Sequence, residues 1–399
     1  MKILFVHHGT ILGGAPLSLL YLARELERQP DIELEVVCHS PEMRDFFKNN
    51  LTSSVDRWPN PFTFVGRYMI GYVALNSFQA WKTFLFDLFR VPKSIVKQVR
   101  FLKDKRPDIV HLNSSVLFTT AIAARLAGVP IVWHVRECLQ GAFWQKTFSG
   151  AIIRHMAHQV IAISHVEAQR LGQDHRGKVR VIYNPINFAG LKPELYDQAL
   201  EKKKLGLKDS DNLVVNLGGL TPRKGTFEQV EAMQYTSENT KLIIAGFPFS
   251  GIPTNSYEQS IMDVISRLPE GKVVFAGVLD DVASLIAASD VLVFTGTKPH
   301  FPRPVFEAWR MKKPVIVFEM DGISNNVEHL VDGIVVKDVD GKSLGEAIAL
   351  LLKDRPAMIR FGEAGRKKAD QKCDPFSVSK QVLAVYEGFG FSQFSKAGM

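Results

Sequence analysis

Short apolar runs alternate with amphipathic helical patterns along almost the whole chain. A parallel sheet requires this alternation, because each strand is followed by a helix that returns along a face of the sheet. Strands buried in this way are apolar throughout, as in Val291–Phe294 and Val315–Phe318. With 399 residues, the chain is long enough for two domains. We therefore predict an α/β fold with two Rossmann-like, doubly wound parallel-sheet domains facing across a cleft.

Each half of the chain contains its own series of predicted strands. Those of the first half are Ile3–His8, Glu33–His39, Ile109–Leu112, Ile131–Val135, Val160–Ile163 and Val179–Tyr183. Those of the second half are Leu213–Leu217, Leu242–Ala245, Val273–Phe275, Val291–Phe294, Val315–Phe318 and Ile334–Val336. The polar, proline-containing stretch 184–212 is interpreted as the link between them. We predict domains at 1–190 and 191–374, followed by a helix at Pro375–Gly388.

The composition is that of a soluble protein, with 46% hydrophobic and 23% charged residues. Because the first residues lead directly into a predicted strand, no signal peptide is expected. No apolar run reaches the roughly 18 residues that a transmembrane helix needs. Cys38, Cys138 and Cys373 are far apart and lack the spacing of a metal site, which suggests a reducing, cytoplasmic compartment.

The positive charge is concentrated between Arg44 and Arg106. This segment contains 12 Lys and Arg against 4 Asp and Glu, so it accounts for the net charge of +8. It also contains 13 of the 40 aromatic residues, among them Phe46, Phe47, Trp58, Phe62, Phe64, Trp81, Phe84, Phe86 and Phe89. A basic, aromatic segment is typical of a protein that docks on an anionic membrane. The alternative is that the aromatics are core residues and the charges form a solvated face. Nucleic-acid binding is not expected, because no recognition module is present.

Two glycine turns follow predicted strands. The first contains Gly13 and Gly14 before an amphipathic helix, where backbone amides would approach a phosphate, although such a turn is more often only a tight turn. The second, Gly218–Gly225, places Arg223 and Lys224 at the start of a helix. Cations are unfavourable at a helix N-terminus, so their presence favours a bound diphosphate over a solvated Arg-Lys pair.

Two further side chains are candidates for substrate contacts. His134 lies near the end of a predicted strand, where it would face a cleft and donate to a substrate hydroxyl; the alternative is a satisfied structural histidine. Glu307 lies one turn into a helix that opens near Arg303, and its carboxylate would accept bonds from two ribose hydroxyls or simply favour the helix dipole. Pro304 suits the first helical position, which would leave the amides of Val305 and Phe306 free for a ligand.

The motifs occur in a specific order: a GGA loop, His134, VIAI followed by Ser164, VIYNPIN, GGLTPRKG, FAGVLDD, FPRPVFEAW and KKPVIVFEMDGI. In this order they resemble the retaining family 4 glycosyltransferases (glycosyl transferases group 1), which have the GT-B fold. The resemblance extends from Met1 to about Tyr386. Its strongest parts are Arg223–Gly225 and Phe301–Glu307.

The resemblance implies a role for each matching position. The first domain, 1–190, would take the acceptor, with a C-terminal helix at about 375–399 packing back on it; 191–374 would bind the nucleotide sugar. The implied catalytic residues are His134, near the transferred sugar, and Lys224 and Arg223, on the phosphates. The implied donor-binding residues are Gly13, Gly14, Gly219, Val278 in the turn against the nucleobase, Phe301, Arg303, and Glu307 on the ribose.

The chain departs from the family pattern at three places. Pro299 stands where the family usually has a glutamate that contacts the donor sugar. Gly219 stands where it usually has a phosphate-binding arginine, for which Arg223 is a candidate substitute. Pro302 and Pro304 lack the N–H groups that often contact the sugar. These departures bear mainly on the choice of donor sugar.

The resemblance implies a retaining glycosyltransferase that moves a sugar from a UDP- or GDP-sugar to a glycan or lipid-linked acceptor. We expect it to function in cell-surface polysaccharide or glycolipid biosynthesis, in the cytoplasm or at the inner face of the plasma membrane. No metal or other cofactor is expected, and the membrane contact would involve residues 44–106. The alternatives are a non-catalytic GT-B partner protein, a nucleotide-sugar epimerase and a sugar phosphorylase, although no convincing cofactor lysine for a phosphorylase is present.

Overall fold

A computed structural model describes residues 1–10, 13–59, 65–70, 73, 75–137, 139, 143–249, 251–279 and 281–389. The chain forms two compact units. Unit 1 combines Met1–Ile186 with the C-terminal segment that begins at Pro375, and unit 2 is Asn187–Asp374. Each unit is built on one parallel sheet with helices, so the predicted class of two Rossmann-like α/β domains is confirmed.

The sheet of unit 1 has seven strands in the order β3-β2-β1-β4-β5-β6-β7, and all neighbours are parallel. The strands are β1 Lys2–His7, β2 Glu33–Cys38, β3 Ser54–Arg57, β4 Ile109–Leu112, β5 Ile131–Val135, β6 Gln159–Ala162 and β7 Val179–Val181. Side chains of β4 and β5 are buried throughout, which explains their uninterrupted apolar runs.

The helices of unit 1 cover the sheet. They are α1 Gly14–Glu27, α2 Pro41–Lys48, α3 Val65–Met69, α4 Phe78–Lys105, α5 Phe118–Ala127, α6 Phe143–Met156, α7 His165–Arg170 and the C-terminal α15 Pro375–Glu387. From α15, Val378, Val382 and Tyr386 enter the same apolar cluster as Leu19 and Leu22 of α1. The chain therefore returns to unit 1 after completing unit 2.

The basic segment between Arg44 and Arg106 contains one strand that the sequence did not predict. Edge strand β3 was missed because only Val55 among its four residues is buried, so it lacks an apolar run. The structure also divides the aromatic residues of this segment. Phe47 and Trp58 are buried core residues, so the docking interpretation is wrong for them. Phe62 and Phe64 lie outside the described residues.

Helix α4 is amphipathic, but its buried side chains are mostly polar and several large apolar side chains are exposed. Its buried positions are Asp87, Ser94, Gln98 and Leu102, of which three are polar. The opposite side exposes large apolar side chains at Phe78 (85%), Trp81 (48%), Phe86 (59%) and Phe89 (84%). Exposed apolar rings grouped on one helix are a feature of surfaces that bind a partner or a membrane.

The sheet of unit 2 has six strands in the order β10-β9-β8-β11-β12-β13, again with parallel neighbours. The strands are β8 Asn212–Asn216, β9 Thr240–Ala245, β10 Val273–Gly277, β11 Val291–Phe294, β12 Val315–Phe318 and β13 Gly333–Val336. The helices are α8 Gln198–Lys204, α9 Thr226–Ala232, α10 Ser256–Ile265, α11 Val282–Ala288, α12 Arg303–Arg310, α13 Gly341–Lys353 and α14 Arg355–Cys373. This is the doubly wound order in which ligands bind where the strand order reverses.

Candidate functional site

The strand order reverses between β1 and β4 in unit 1 and between β8 and β11 in unit 2. At such a switch point, the loops that follow the two strands diverge and leave a crevice at their carboxyl ends. Most predicted site residues lie in these loops: Gly13 and Gly14 after β1, Gly219, Arg223 and Lys224 after β8, and Phe301, Arg303 and Glu307 after β11. His134 lies in β5, beside β4, and Val278 follows the edge strand β10.

The helices at the switch points begin differently from the others. Eight helices have a Ser, Asp or Asn N-cap whose side chain accepts from a first-turn amide: α2, α4, α7, α8, α10, α11, α13 and α14. The four helices that follow the switch-point strands, α1, α5, α9 and α12, have Gly13, Leu117, Gly225 and Pro302 at this position and no side-chain cap. Two of their first-turn amides nevertheless have partners, because the Phe227 amide of α9 donates to the Tyr257 hydroxyl over 3.0 Å and the Val305 amide of α12 donates to the Pro302 carbonyl.

In unit 2, the two loops meet through Lys224 and His300. The Lys224 Nζ lies 3.1 Å from His300 Nε2 and 5.0 Å from the centre of the Phe294 ring. His300 Nδ1 lies 2.7 Å from the Lys298 carbonyl, so Nδ1 donates the imidazole proton to that carbonyl and Nε2 accepts from the ammonium. Lys224 is thus a positive charge whose side-chain partners in the described part of the chain are neutral.

Burial sets the protonation of both groups. It lowers the pKa of Lys224 to about 8, with a further contribution from the charge of Arg223. Burial, together with the Lys224 charge, lowers the pKa of His300 to about 4, so this imidazole is neutral at physiological pH. Arg223 is exposed beside Lys224. The site therefore presents two cations at the switch point. Lys224 is held by His300 and Phe294, whereas Arg223 is exposed.

Glycine is required where the two loops of unit 2 touch. Gly225 has a φ of 63°, and a Cβ there would lie 2.1 Å from the Thr295 carbonyl oxygen. The Thr295 hydroxyl in turn donates to the carbonyls of Lys224 or Gly225, each 3.1 Å away. Gly219 also has positive φ, but its amide donates to Ala245 and its carbonyl accepts from Thr226. Gly219 therefore shapes the loop and has no backbone group to spare for a phosphate.

Glu307 is buried in the first turns of α12 with a single side-chain partner. Arg303 Nε donates to its Oε1 over 2.7 Å, and the described part of the chain supplies no hydrogen bond to Oε2. Burial raises the pKa of Glu307, while the Arg303 charge opposes this shift. The arrangement leaves one carboxylate oxygen for a ligand hydroxyl. Phe301 stacks on Phe306 at a centroid distance of 5.1 Å and thereby anchors the loop.

Two expectations for the start of α12 are corrected. The helix begins at Arg303, so Pro304 is its second residue rather than its first. The Val305 amide donates to the Pro302 carbonyl over 3.0 Å and is therefore occupied rather than free. Val278 follows the last residue of β10 and is exposed, which places an apolar side chain at that strand's carboxyl end.

In unit 1, Gly13 and Gly14 form the start of α1. Gly13 is extended, with a φ of −169°, and a Cβ on either glycine would meet no described atom within 4 Å. Packing within the described part of the chain therefore gives no reason for glycine at these positions. Both positions are exposed, and glycine is also a favoured N-cap residue.

His134 is fully buried, so the expectation that it faces an open cleft is not met in this structure. Its Nδ1 lies 3.1 Å from His111 Nε2 and 3.4 Å from Arg136 Nη2, which is always a donor. His134 Nδ1 must therefore accept, His111 Nε2 must carry a proton, and Tyr386 donates to His111 Nδ1 over 2.7 Å. The remaining His134 Nε2 proton has no partner in the described part of the chain.

Arg136 is the residue that follows β5 at the sheet edge, and it is 7% exposed. Its guanidinium donates to Asn113 Oδ1 over 2.5 Å, to Asn184 Oδ1 and to His134. The adjacent Glu137 carboxylate is held by Ser114 and Ser115 instead. Burial lowers the pKa of Arg136 to about 9, which leaves it charged at neutral pH. Arg136 is therefore a buried cation bonded to neutral groups.

His7, the last residue of β1, also lies at the carboxyl edge of the sheet of unit 1. Asn113 Nδ2 donates to His7 Nδ1 over 3.1 Å, which leaves the proton of His7 on Nε2, where the described part of the chain provides no partner. Burial lowers the pKa of His7 to about 3 and those of His111 and His134 well below their usual value, so the three imidazoles are neutral. The switch point of unit 1 thus combines neutral donors with one cation.

Sequence reasoning missed His300 and Arg136. His300 directly precedes the FPRP motif, and Arg136 follows His134 by two positions, so both were adjacent to residues that were chosen. No residue motif marks His300, because its contact with Lys224 joins two loops that are distant in the sequence. Arg136 is marked only by its position directly after a buried strand, where polar residues often contact ligands.

Two family models match the chain. The model described as Glycosyltransferase Family 4 matches residues 12–189, and the model described as Glycosyl transferases group 1 matches residues 197–368. Together they account for most of unit 1 and unit 2. They correspond to the two halves of the family that the motifs resemble.

Individual proteins show the same similarity. An Escherichia coli UDP-Gal:alpha-D-GlcNAc-diphosphoundecaprenol alpha-1,3-galactosyltransferase is 27% identical over 291 residues, 67% of this chain and 72% of that protein. The putative teichuronic acid biosynthesis glycosyltransferase TuaC of Bacillus subtilis is 24% identical, over 65% of this chain and 64% of its own length. The crystal structure of HepE from Anabaena in complex with UDP is 22% identical, covers 97% of this chain and 100% of its own, and has a TM-score of 0.80.

The fold likeness, the two matching models and the glycosyltransferase relatives agree with one another. The chain is an enzyme that belongs to the group 1, family 4 glycosyltransferases with the GT-B fold.

Proposed function

We propose that the protein transfers a sugar, with retention of anomeric configuration, from a UDP- or GDP-sugar to a glycan or lipid-linked acceptor. The observation that carries the proposal is the pair Lys224 and Arg223 at the switch point of unit 2, where the buried ammonium has only neutral side-chain partners. A diphosphate would supply the missing negative charge. Complexes of the similar Anabaena protein with UDP and UDP-glucose support a nucleotide donor.

The reaction needs stabilisation of the departing nucleoside diphosphate. Lys224 and Arg223 would stabilise the negative charge that develops on it. The proposed route is a front-face displacement through an oxocarbenium-like state, without a metal or a covalent enzyme intermediate. Glu307 would hold the ribose through Oε2, while Val278 would lie against the nucleobase.

The acceptor would bind to unit 1. Arg136 gives this switch point a buried positive charge, and the neutral donors His7 and His134 lie within the same hydrogen-bonded network. The E. coli relative acts on an acceptor whose sugar is attached to a lipid diphosphate. A phosphate-bearing acceptor would give Arg136 a direct anionic partner in addition to the nearby charge of Glu137, whose carboxylate is held by Ser114 and Ser115.

A membrane contact through α4 would bring unit 1 to such an acceptor. No helix in the described part of the chain is long and apolar enough to cross a membrane. The exposed side of α4 instead places Phe78, Trp81, Phe86 and Phe89 near the exposed Lys82, Lys93, Lys97 and Arg100. Aromatic rings at the headgroup level and lysines facing anionic lipids are the features of an interfacial helix. This favours peripheral docking at the inner face of the plasma membrane and a role in cell-surface polysaccharide or glycolipid biosynthesis.

The donor assignment is tested by release of nucleoside diphosphate. The purified chain is incubated with a panel of UDP- and GDP-sugars, with and without lipid-linked acceptors, and the released nucleotide is measured. We expect acceptor-dependent release with at least one donor. Isomerisation of the donor without an acceptor would indicate an epimerase, and the absence of release with every donor would overturn the proposal.

The membrane contact is tested by sedimentation with vesicles of anionic phosphatidylglycerol and of neutral phosphatidylcholine. We expect salt-sensitive binding to the anionic vesicles, which the double variant Phe86→Ser/Phe89→Ser abolishes. Phe376→Ser, which removes an exposed ring from α15 instead, is the matched control and should bind normally. Equal binding by both variants would show that α4 is not the docking surface.

A further inference from the structure

A cavity of about 690 Å³ lies between α5 and α6 of unit 1, away from the switch point. One end is apolar, lined by Met69 of α3, Phe118 and Ile122 of α5, and Phe148, Ala151 and Ile152 of α6. The other end is basic, with Arg154, Arg176 and Lys178. The volume is within the range of roughly 300–1,000 Å³ that is typical of small-ligand sites. An apolar cavity with one cationic end fits an amphipathic anion.

A second cavity of about 450 Å³ adjoins the basic end. It shares Arg154, Gln173 and His175 with the first, and it adds Lys146 and Arg170. Its lining contains no Asp or Glu. The one carboxylate at the basic end of the first cavity, Asp174, accepts from the amides of Val179 and Arg176 and is therefore engaged by the backbone.

Arg154 stands where the two cavities meet. Its Nη1 is buried and has no hydrogen-bond partner in the described part of the chain, and it lies so close to Gly172 that a Cβ there would be 2.9 Å away. Asp174 lies near enough for its charge to act on Arg154, but among the described residues no carboxylate contacts the guanidinium as an ion pair. A buried guanidinium N–H without an acceptor is costly, and a bound phosphate would satisfy it with a charge-assisted hydrogen bond.

The apolar end is connected to the exposed helix α4 through α3. Tyr68 of α3 packs edge-on against Phe84 of α4 at 5.1 Å, and its neighbour Met69 lines the cavity. Ser149 of α6 donates to the Met69 carbonyl over 2.8 Å, which holds α3 against α6. The cavity thus adjoins the surface that would touch a membrane.

The basic end is not placed for the acceptor. Arg154 is in the last turn of α6, just before β6 begins at Gln159, and Lys178 immediately precedes β7. These residues therefore lie at the amino edge of the sheet, whereas Arg136 and Asn113 lie at the carboxyl edge. The occupant is a lipid of the docking membrane rather than a molecule undergoing reaction.

We propose that the cavity between α5 and α6 binds one anionic membrane phospholipid, with an acyl chain along Ile122, Ala151 and Ile152 and its phosphate at Arg154. The site is distinct from the donor and acceptor sites. The inference rests on the proposed membrane contact only for the source of the lipid, because the cavity and its charge belong to unit 1 itself.

The experiment uses soluble probes, so that vesicle docking is not required. Calorimetry measures binding of monomeric dioctanoyl phosphatidic acid to the full chain, compared with dioctanoylglycerol, which lacks the phosphate, and glycerol 3-phosphate, which lacks the chains. We expect the first to bind about ten-fold or more tightly than either of the others, since both parts of the site are then filled. Equal binding of either partial probe would overturn the proposal.

Two variants locate the site. Arg154→Gln should weaken binding of dioctanoyl phosphatidic acid about ten-fold, and Ala151→Trp should block the chain. Lys48→Gln removes the same charge from an exposed position of α2 and should change nothing. If Arg154→Gln and Lys48→Gln bind equally well, the site is not at Arg154. If Ala151→Trp fails to fold, the binding measured with Arg154→Gln still tests whether the phosphate lies at Arg154.

The α4 variant separates this site from membrane docking. Phe86→Ser/Phe89→Ser should retain binding of the soluble lipid while losing sedimentation with vesicles. Loss of soluble-lipid binding in this variant would place the lipid on α4 and overturn the proposal. Acceptor-dependent nucleotide release without added phosphatidic acid or phosphatidylglycerol tests the glycosyl transfer independently, so failure of one proposal does not imply failure of the other.

Discussion

The two switch points have the same strand order but different chemistry. In unit 2, the loops after β8 and β11 bring together the cations Lys224 and Arg223 with one neutral histidine, His300. In unit 1, the ends of β1, β4 and β5 surround a single buried cation, Arg136, with neutral imidazoles and amides. One fold therefore carries a charged site and a largely neutral one.

The difference shows how the same backbone is adapted to two ligands. All four switch-point helices lack a side-chain N-cap, which is a feature that both units share at the same place. What distinguishes them is the number of cations and their exposure. Unit 2 suits a diphosphate that arrives and leaves with two charges, whereas unit 1 suits hydroxyls and one anionic group.

Lys224→Gln is the strongest test of the charged site. We expect the transfer rate to fall about 10²–10³-fold, as for the loss of one donor to a developing negative charge. The melting temperature should not fall, because Lys224 has no ion pair to lose. The control is Lys298→Gln, which removes a charge from the same unit two positions before His300. Normal turnover in Lys224→Gln would show that the Lys224 charge does not stabilise the departing diphosphate.

The pH dependence of Lys224 has opposite signs for activity and stability. Its folded pKa of about 8 lies below the ordinary lysine value of 10.5. As pH rises through about 8, the folded protein loses the ammonium and activity should decline. Between these pKa values the unfolded chain binds more protons than the folded chain, so the contribution to stability increases with pH in that window. Lys224→Gln should remove both trends, measured as a pH–rate profile and a pH series of melting temperatures.

Alanine substitutions of Gly225 in unit 2 and Gly14 in unit 1 test whether packing constrains the two loops in the same way. Gly225→Ala should destabilise the protein by about 3 kcal/mol, because it combines a left-handed backbone with a clash against Thr295. The Cβ added by Gly14→Ala would meet no described atom within 4 Å, so the urea midpoint should stay unchanged while the rate of sugar transfer falls. Equal stability of the two variants would contradict the difference in loop packing.

Arg136→Gln tests the neutral site of unit 1. We expect kcat/KM for the acceptor to fall about 10–100-fold, as for loss of a hydrogen bond from a charged group, with donor affinity unchanged. Arg136→Lys should retain part of the activity because it keeps the charge. Arg180→Gln, on the outer strand β7, is the control. A loss of donor affinity that matches the loss of acceptor use would assign Arg136 to the donor instead.

Glu307→Gln should have the smallest effect, a weakening of nucleoside diphosphate binding by about ten-fold in calorimetry. The loss reflects a ribose hydroxyl that no longer donates to a carboxylate. Because burial raises the pKa of Glu307, binding to the native protein should weaken as pH falls through that raised value. Glu363→Gln changes an exposed carboxylate of unit 2 and should bind normally. Unchanged affinity of Glu307→Gln would exclude the ribose contact.

The strands could be predicted because each buried strand is an uninterrupted apolar run, as in β11 and β12. Edge strand β3 could not, since a strand with one buried side chain has no such pattern. For α4, composition indicated a basic and aromatic segment, but not which rings are exposed. Phe47 enters the core and Phe89 does not, although both are phenylalanines of the same segment.

The candidate site was only partly predictable. Lys224 and Glu307 stand in recognisable motifs, and the structure places both at the switch point of unit 2. His134 was expected to lie open, yet it is buried in a chain of hydrogen bonds that ends at Tyr386. Its hydrogen-bonded chain reaches α15, which comes from the far end of the sequence, and no local pattern reports that contact.

The amino-acid sequence by itself determined the two parallel sheets, because apolar periodicity acts between residues a few positions apart. It also identified the glycine turns that precede α1 and α9, which are local features. Only the tertiary structure decided which polar groups meet. Lys224 and His300 are 76 residues apart, and His111 and Tyr386 are 275 apart. Their protonation follows from burial, and burial is a property of the assembled sheet rather than of any segment.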